Sequence, residues 1–172
     1  MISGGLLDTA AAVLDECRAK GCRLATAESC TGGLITATLT AIAGSSDVVD
    51  RGFVAYSNEA KMELLGVQAG MILDHGAVSE PVVRAMAEGA LARSRADIAV
   101  AVTGLAGPGG GSADKPVGLV WFGLAHSGAP LHSECVVLPG DRAAVREATV
   151  AHAFALIRAV VQSSVLAAAG QS

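Results

Sequence analysis

The sequence predicts an α/β fold, in which a mixed β-sheet carries helices on both faces. Two observations predict this class. Helical runs alternate with strand-sized apolar runs in the first part of the 172-residue chain. Near the other end, two strand-like runs are separated only by a Ser127-Gly128 turn, as antiparallel strands are. The length fits one domain over residues 1–172, with a core at about 5–162.

The first half of the chain contains clear helix boundaries. Apolar residues recur at helical spacing over 5–20, and Gly21 is placed to cap the end of that helix. Ser57 or Asn58 can cap a second, short helix. The predicted elements are a helix over 5–20, a strand over 23–28, a helix over 31–43, a strand over 48–57, a helix over 58–65, and a helical turn or loop over 69–75.

The second half contains the predicted centre of the sheet. The run from Asp97 to Thr103 consists mainly of small and β-branched apolar residues, which is typical of a strand buried on both faces. Ser79-Glu80-Pro81 is a strong helix start. The predicted elements are a helix from 79 to about 94, strands over 97–103, 117–125 and 131–138, a helix over 142–161 capped by Asp141, and a frayed tail over 167–172.

Composition and charge exclude several classes of function. Aromatic residues make up only 3% of the chain, the formal net charge is −4 and no Lys/Arg cluster occurs, so we expect no nucleic-acid partner. No run of about 18 uncharged apolar residues occurs, and no secretory signal is recognisable, so we expect no membrane partner. The four cysteines lack metal-ligand spacing, which favours free thiols, no metal and a cytoplasmic protein. An apolar, aromatic-poor chain is compatible with a homo-oligomer, a dimer or larger.

The most informative segment is Ala27-Glu28-Ser29-Cys30-Thr31-Gly32-Gly33, between a predicted strand and a predicted helix. A helix N-terminus offers free backbone N–H groups and the positive end of the helix dipole, and glycine allows a ligand to approach them. An anion or a developing oxyanion would be held there, beside Ser29 or Cys30 as nucleophile. The thiol of Cys30 would have a depressed pKa at such a helix start, although free cysteine is more often a small buried hydrophobe. Glu28 can pair either with Lys61 or with a helix end.

A serine nucleophile needs a base, and Lys61 is the candidate. None of the four histidines lies in an obvious Ser-His-Asp setting, and no GxSxG motif occurs. Lys61 lies in the first turns of a predicted helix, where the helix dipole and burial would lower its pKa towards that of a working base. The alternative, which is the commoner role for a lysine, is a solvated side chain on a surface helix.

A second glycine-rich segment, Thr103 to Ser112, follows the buried strand at its carboxyl end. Open α/β sheets tend to bind ligands there, and successive backbone N–H groups can form an anion nest. The segment is neither a Walker loop nor a GxGxxG motif followed by a helix, and a flexible connection is the alternative. Tyr56 precedes the helix that carries Lys61, and it can either orient a substrate or cap an edge of the core.

Six ordered motifs together resemble the CinA C-terminal domain family, and the resemblance extends over about residues 5–160. The motifs are Ala27-Glu28-Ser29-Cys30-Thr31-Gly32-Gly33, Gly44-Ser45-Ser46, Gly52 to Lys61, His75-Gly76-Ala77-Val78-Ser79-Glu80, Thr103 to Ser112, and Lys115-Pro116-Val117-Gly118.

The resemblance implies a three-layer α/β/α domain with a five-stranded mixed sheet in the order 2-1-3-4-5, in which strand 4 is antiparallel. It also implies an activity, since the enzymatic members of the family are nicotinamide-nucleotide amidases. Such an enzyme hydrolyses the carboxamide of nicotinamide mononucleotide to nicotinate mononucleotide and ammonia, within pyridine-nucleotide recycling. The chain is similar to the stand-alone form, without the extra N-terminal domain of the longer competence-damage proteins. The implied partner is a small-molecule nucleotide, and no cofactor or metal is implied.

Carried onto this chain, the resemblance places the nucleophile at Ser29 and the base at Lys61. Tyr56, Thr31, Asn58 and Thr103 would line the pocket, and N–H groups near Cys30 to Gly33 would hold the oxyanion. The nucleotide phosphate would lie on a glycine loop, either 31–33 with Gly32 and Gly33, or 104–112 with Gly104 and Gly107. The alternative function is a non-catalytic nucleotide-binding or regulatory module of the same fold, and a different amide substrate is a third hypothesis.

Overall fold

The computed structural model describes residues 2–163, which form five β-strands and six α-helices. The predicted tail over 167–172 lies outside the described residues. In chain order the elements are α1 (Gly4–Lys20), β1 (Leu24–Glu28), α2 (Leu34–Thr40), a 3-10 turn (Ser45–Asp47), β2 (Val49–Val54), α3 (Asn58–Leu65), α4 (Ala69–His75), α5 (Glu80–Ala92), β3 (Ile98–Gly104), β4 (Leu119–His126), β5 (His132–Val137) and α6 (Arg142–Gln162). Among these helices, none is both long enough and apolar enough to cross a membrane.

The five strands form one mixed sheet in the order β2-β1-β3-β4-β5. Strand β1 is parallel to both of its neighbours, β2 and β3, whereas β4 is antiparallel to both β3 and β5. This confirms the predicted fold class, including the strand order and the antiparallel fourth strand that the family resemblance implied.

The largest differences from the predicted element boundaries, three residues each, are at the start of α2, at its end, which is Thr40 rather than residue 43, and at the end of β2. Helix α2 begins at Leu34 rather than at 31, because Gly32 and Gly33 have φ angles of +60° and +96°, which no α-helix contains. Strand β2 ends at Val54 rather than at 57, since the chain then turns into α3. Ser57 caps α3 by accepting the N–H of Ala60, and residues 69–75 form a helix of their own.

The two faces of the sheet pack against different helices, using side chains of different sizes. In β3 the larger residues Ile98, Val100 and Val102 belong to the cluster formed with α1, α2 and α6, whereas the intervening alanines belong to the cluster formed with α5. Small residues let α5 lie close to the sheet: a Cβ at Gly123 would come 2.7 Å from the carbonyl oxygen of Val83. The alternation of larger and smaller side chains along the strands therefore sets the distance between the sheet and the helices on each of its faces.

The fold brings three chain segments to one edge of the sheet. Because β1, β2 and β3 are parallel, the segments that follow them, beginning at Ser29, Ala55 and Leu105, leave the sheet at the same edge. Successive strand residues face opposite sides, so Glu28 at the end of β1 points to the α2 side. The next residue, Ser29, faces the side on which α3 begins.

Candidate active site

Ser29 is the first residue after β1 and belongs to the turn that leads into α2. Its backbone N–H donates to the carbonyl oxygen of Val102 at 3.1 Å, which holds the turn against β3. Gly32 and Gly33 supply the two left-handed positions of this turn, which L-residues with a side chain rarely adopt.

The carboxylate of Glu28 caps helix α2. The side chain is fully buried, and of the two partners that the sequence left open it contacts the helix end. Its oxygens accept the hydroxyl of Thr31 at 2.7 Å, the N–H groups of Gly33 and Ile35 at 3.0 Å, and both the N–H and the hydroxyl of Thr36 at 2.8 Å. A protein carboxylate therefore already occupies the anion position that the sequence indicated at this helix start.

We expect Glu28→Gln to destabilise the fold by about 3 kcal/mol, because the new amide group would turn its own N–H donors towards donors that now bond a carboxylate. The free energy of unfolding in denaturant measures the loss. Glu88→Gln, at an exposed position on α5, is the matched control and should change it little. Equal unfolding midpoints for the two variants would contradict the structural role assigned to Glu28.

Lys61 is only 1% exposed, which is unusual for a lysine and excludes the solvated surface position. Its Nζ lies 3.0 Å from Oγ of Ser29, 3.1 Å from the carbonyl oxygen of Ala55 and 3.4 Å from that of Tyr56. None of the ion pairs among residues 2–163 includes Lys61. Burial without a carboxylate partner lowers the pKa of its amine.

A neutral amine can form all three oxygen contacts of Nζ, as an ammonium group can, and the lowered pKa of Lys61 favours the neutral form. A neutral lysine has two N–H donors and one lone pair. When the two N–H groups donate to the carbonyl oxygens of Ala55 and Tyr56, the lone pair faces the hydroxyl of Ser29 and can accept its proton. This is the hydrogen-bonded geometry that a general base needs towards a serine nucleophile.

Cys30 lies beside Ser29, but its thiol is not activated. The side chain is buried, and burial raises its pKa to about 12. The depressed pKa that the sequence predicted is wrong, because Glu28 fills the helix N-terminus that would have stabilised a thiolate. At neutral pH Cys30 is therefore a small apolar side chain, and Ser29 is the better nucleophile.

Treatment of the folded protein with iodoacetamide at mildly alkaline pH should modify Cys135, which is exposed, and leave Cys30 unmodified. The reason is that alkylation needs both access and a thiolate, and Cys30 offers neither. Peptide mass spectrometry locates the label, and the same treatment in denaturant should modify all four cysteines. Alkylation of Cys30 in the folded protein would show that its thiol is reactive after all.

The backbone N–H groups around Ser29 fall into two sets. Those of Gly32 and Gly33 are already used, because they donate to the carbonyl oxygen of Ser29 and to the carboxylate of Glu28, each at 3.0 Å. Within residues 2–163, the N–H groups of Cys30 and Thr31 donate to no oxygen atom, and both point towards the sulfur of Cys30. Of the N–H groups of Cys30 to Gly33 that were expected to hold the oxyanion, only those of Cys30 and Thr31 therefore remain as candidates.

The polar residues predicted to line the pocket have different environments. Thr31 is fully buried and its hydroxyl bonds the capping carboxylate, while the buried hydroxyl of Thr103 donates to a carbonyl oxygen of the segment before α5, at 2.9 Å. Tyr56 and Asn58 are exposed at the junction between β2 and α3. Thr31 and Thr103 thus hold the surrounding turns, and the exposed pair is accessible to a ligand.

The two glycines singled out in the second loop are required by close packing. A Cβ at Gly104 would come 2.7 Å from the carbonyl oxygen of Leu119, and Gly107 has a φ of +82° with the side chain of Val117 against it. The carbonyl oxygen of Gly107 accepts a hydrogen bond from Arg142 at 2.8 Å. The loop is therefore tied to helix α6.

Two arginines at the start of α6 border the site, and the sequence reasoning missed both. Arg142 also donates to the phenolic oxygen of Tyr56 at 3.1 Å, and Arg146 donates to the carbonyl oxygen of Thr31 at 2.7 Å. Their position in the sequence could have indicated them. Two cations spaced i, i+4 in the first turns of a helix oppose the helix dipole, so a cost of this kind suggests that the side chains have a role.

No metal centre is evident in the part of the chain that the structure describes, where no group of three or more His, Cys, Asp or Glu side chains is arranged to bind an ion. On the outer strand β5, the carboxylate of Glu134 contacts His132 of the same strand and His152 of α6. Hydrogen bonds from these two imidazoles hold the pKa of Glu134 below its usual value.

The fold and the site define an α/β domain that presents a buried serine–lysine pair at one edge of its sheet. The chain belongs to the CinA C-terminal domain family, whose model matches residues 7–161.

Individual relatives give the same assignment. A CinA-like protein of a Mycobacterium species is 52% identical over 159 residues, which cover 92% of this chain and 37% of the relative. A CinA-like protein of Akkermansia muciniphila is 52% identical over 133 residues, which cover 77% of this chain and 32% of the relative. The crystal structure of the competence/damage inducible protein CihA from Agrobacterium tumefaciens superposes with a TM-score of 0.91 at 46% identity, covering 94% of this chain and 99% of that one. The chain spans about a third of the length of the two curated relatives.

Proposed function

We propose that the chain hydrolyses the carboxamide of nicotinamide mononucleotide to nicotinate mononucleotide and ammonia, with Ser29 as nucleophile and Lys61 as general base. The observation that carries this proposal is the 3.0 Å contact between a buried lysine amine and a serine hydroxyl. Such a pair suits acyl transfer from an amide to water. The choice of nucleotide, and of the cytoplasm as the compartment, comes from the family resemblance and the composition.

In the first half of the proposed reaction, Lys61 takes the hydroxyl proton of Ser29 as Oγ attacks the amide carbon. The N–H groups of Cys30 and Thr31 donate to the oxyanion that forms. Protonated Lys61 then passes its proton to the amide nitrogen, the C–N bond breaks, and ammonia leaves. The products of this half are an ester on Ser29 and a neutral lysine.

In the second half, water attacks the ester carbon while Lys61 takes a proton from that water. The same N–H groups stabilise the second oxyanion. The bond to Oγ of Ser29 breaks, Lys61 returns the proton to Oγ, and the carboxylic acid product leaves. One lysine thus acts as base and then as acid in each half.

Two alternatives make different predictions. A non-catalytic nucleotide-binding or regulatory module would bind the nucleotide without releasing ammonia, and the buried Lys61 beside Ser29 speaks against it. An amidase for another substrate would release ammonia faster from a different amide.

Ammonia release from nicotinamide mononucleotide, nicotinamide riboside, nicotinamide and glutamine, compared side by side, separates these hypotheses. The proposal expects the highest kcat/KM with nicotinamide mononucleotide. Nucleotide binding without turnover would instead support the non-catalytic module, and a higher kcat/KM with another amide would change the assigned substrate.

A further inference from the structure

We propose that Cys17 and Cys22 form a redox-active dithiol site, which hydrogen peroxide converts to an intrachain disulfide. Cys17 lies in the last turn of α1, and Cys22 lies between α1 and β1. Because Ser29 follows the other end of β1, the two cysteines lie at the edge of the sheet opposite the candidate active site. The proposal therefore does not rest on the proposed function.

The turn that ends α1 brings the two cysteines together. Gly21 has a φ of +65°, and its N–H donates to the carbonyl oxygen of Arg18 at 3.1 Å. The N–H of Cys22 donates to the carbonyl oxygen of Cys17 at 3.0 Å. These two hydrogen bonds define a Schellman motif, in which the side chains at the positions of Cys17 and Cys22 frequently contact each other.

The separation of the two backbones fits a disulfide. With standard bond lengths and angles, an N–H···O bond of 3.0 Å keeps the Cα atoms of Cys17 and Cys22 within about 6.5 Å of each other. Disulfides bridge Cα separations of about 4.4–6.8 Å. The side chains also approach, because Sγ of Cys22 lies 3.6 Å from the carbonyl oxygen of Cys17 and the two thiols share a hydrogen bond. An S–S bond can therefore form without separating α1 from β1.

The two thiols differ in acidity, as a nucleophilic thiol and its resolving partner do. The hydrogen bond with the thiol of Cys17 lowers the pKa of Cys22, and the same bond, together with burial, raises the pKa of Cys17. Cys22 is 6% exposed, whereas Cys17 is fully buried. Cys22 is therefore the thiol that meets a small oxidant as a thiolate.

Oxidation by hydrogen peroxide takes two steps. The thiolate of Cys22 attacks one oxygen of the peroxide, the O–O bond breaks, and hydroxide leaves and takes up the proton that Cys22 released, so that Cys22 becomes a sulfenic acid. The sulfur of Cys17 then attacks that of Cys22, the S–O bond breaks, and the thiol proton leaves with the hydroxyl group as water. The two sulfurs lose two electrons, which reduce the peroxide. Dithiothreitol reverses the change, because its two thiols return those electrons.

The alternative is that Cys17 and Cys22 are only small apolar side chains of the core, which is the commoner role of free cysteine. Cys30 offers an internal comparison. It is 7% exposed, close to the 6% of Cys22, but burial raises the pKa of its thiol to about 12. Access to the two sulfurs is therefore matched, and if burial alone decides their reactivity, both react equally slowly.

Treatment of the folded Cys135→Ser variant with hydrogen peroxide at mildly alkaline pH tests the site, since this substitution removes the exposed thiol. The remaining free thiols are then alkylated in denaturant, and trypsin cleaves the chain between Cys17 and Cys22. We expect mass spectrometry to find the two cysteine peptides joined by a disulfide, and Cys30 alkylated. The free thiol of Cys22 should disappear at least about tenfold faster than that of Cys30, and dithiothreitol should restore it.

Two further substitutions in the Cys135→Ser background separate the roles of the two thiols. In Cys17→Ala, the sulfenic acid on Cys22 should accumulate, because its resolving partner is gone, and dimedone added with the denaturant should label it. In Cys22→Ala, the thiol of Cys17 should stay free. If either variant fails to fold, the comparison of Cys22 with Cys30 in the folded Cys135→Ser variant still decides between the hypotheses.

Three results would overturn the proposal. The first is a thiol of Cys22 that disappears no faster than that of Cys30. The second is a sulfenic acid on Cys22 that does not join Cys17 when both cysteines are present. The third is a disulfide that forms only after the protein is denatured, because the fold would then keep the two sulfurs apart.

The disulfide should also raise the denaturant midpoint of the Cys135→Ser variant, because a cross-link restricts the unfolded chain. Dithiothreitol should return the midpoint to that of the untreated protein, which separates this effect from irreversible oxidation elsewhere. A midpoint that falls when the disulfide forms would show that the fold does not accommodate the bond, and would count against the site.

Discussion

Ser29→Ala should lower kcat for ammonia release from nicotinamide mononucleotide by at least about 10³-fold, while KM changes little. The alanine lacks the oxygen that attacks the amide carbon, and no other nucleophile among residues 2–163 lies beside Lys61 to replace it. Cys30 is adjacent, but its buried thiol stays protonated. The measurement is steady-state ammonia release, with Ser46→Ala, at an exposed position remote from the site, as the matched control.

Two further observations sharpen this expectation. Mass spectrometry of quenched wild-type reactions should find the acyl group on the peptide that contains Ser29, and Ser29→Ala should abolish it. Combining Ser29→Ala with Lys61→Met should cost no more activity than either change alone, because the two side chains act as one unit. Turnover that survives in Ser29→Ala would place the nucleophile elsewhere.

Lys61→Met should lower kcat by a similar factor, because the methionine fills the buried space but accepts no proton. The pH dependence of the wild type follows from the same amine. Lys61 is a base only when neutral, so kcat/KM should be lost as the pH falls through its lowered pKa. The residual kcat/KM of Lys61→Met should not show this loss at low pH. Lys20→Met, at the exposed end of α1, is the matched control and should retain the wild-type profile.

Lys61→Met should also make the folded protein more stable than the wild type, and most clearly at acidic pH. Because the pKa of Lys61 is lower in the folded state than in the unfolded state, unfolding takes up a proton between those two pKa values. The resulting destabilisation is fully present below the folded-state pKa and disappears as the pH rises towards the ordinary pKa of lysine. Methionine removes this term, so denaturant midpoints of Lys61→Met and wild type should differ more at acidic than at alkaline pH. A variant that is less stable than the wild type at acidic pH would contradict the assignment of a strained, desolvated amine.

Sequence reasoning predicted those parts of the structure that depend on neighbouring residues. Ser57 and Asp141 cap their helices as expected, and Gly21 ends α1 in a left-handed conformation. These signals are local, because a cap bonds an N–H group three residues away and a left-handed turn needs only the absence of a Cβ. The strand order needed more than local pattern, and it followed from motifs that resemble one family.

The candidate site was predictable only in part. The sequence indicated Ser29 and Lys61, and the family resemblance paired them, but the burial of Lys61 could not be derived from a short polar helix. The role of Glu28 stayed open between two partners, and the thiol of Cys30 was expected to be activated. Arg142 and Arg146 were missed because they lie more than 100 residues after the turn that Arg146 contacts.

The sequence by itself determined the class of fold, the positions of most helices and strands, and the two residues on which the proposed chemistry depends. Only the tertiary structure decided which groups meet at the edge of the sheet. It places Glu28 against the start of α2, the amine of Lys61 within hydrogen-bond distance of Ser29, and the arginines Arg142 and Arg146 at the border of the site. The physical reason is that hydrogen-bond partners and desolvation are set by segments brought together through the parallel strands, and these contacts leave no local pattern in the chain.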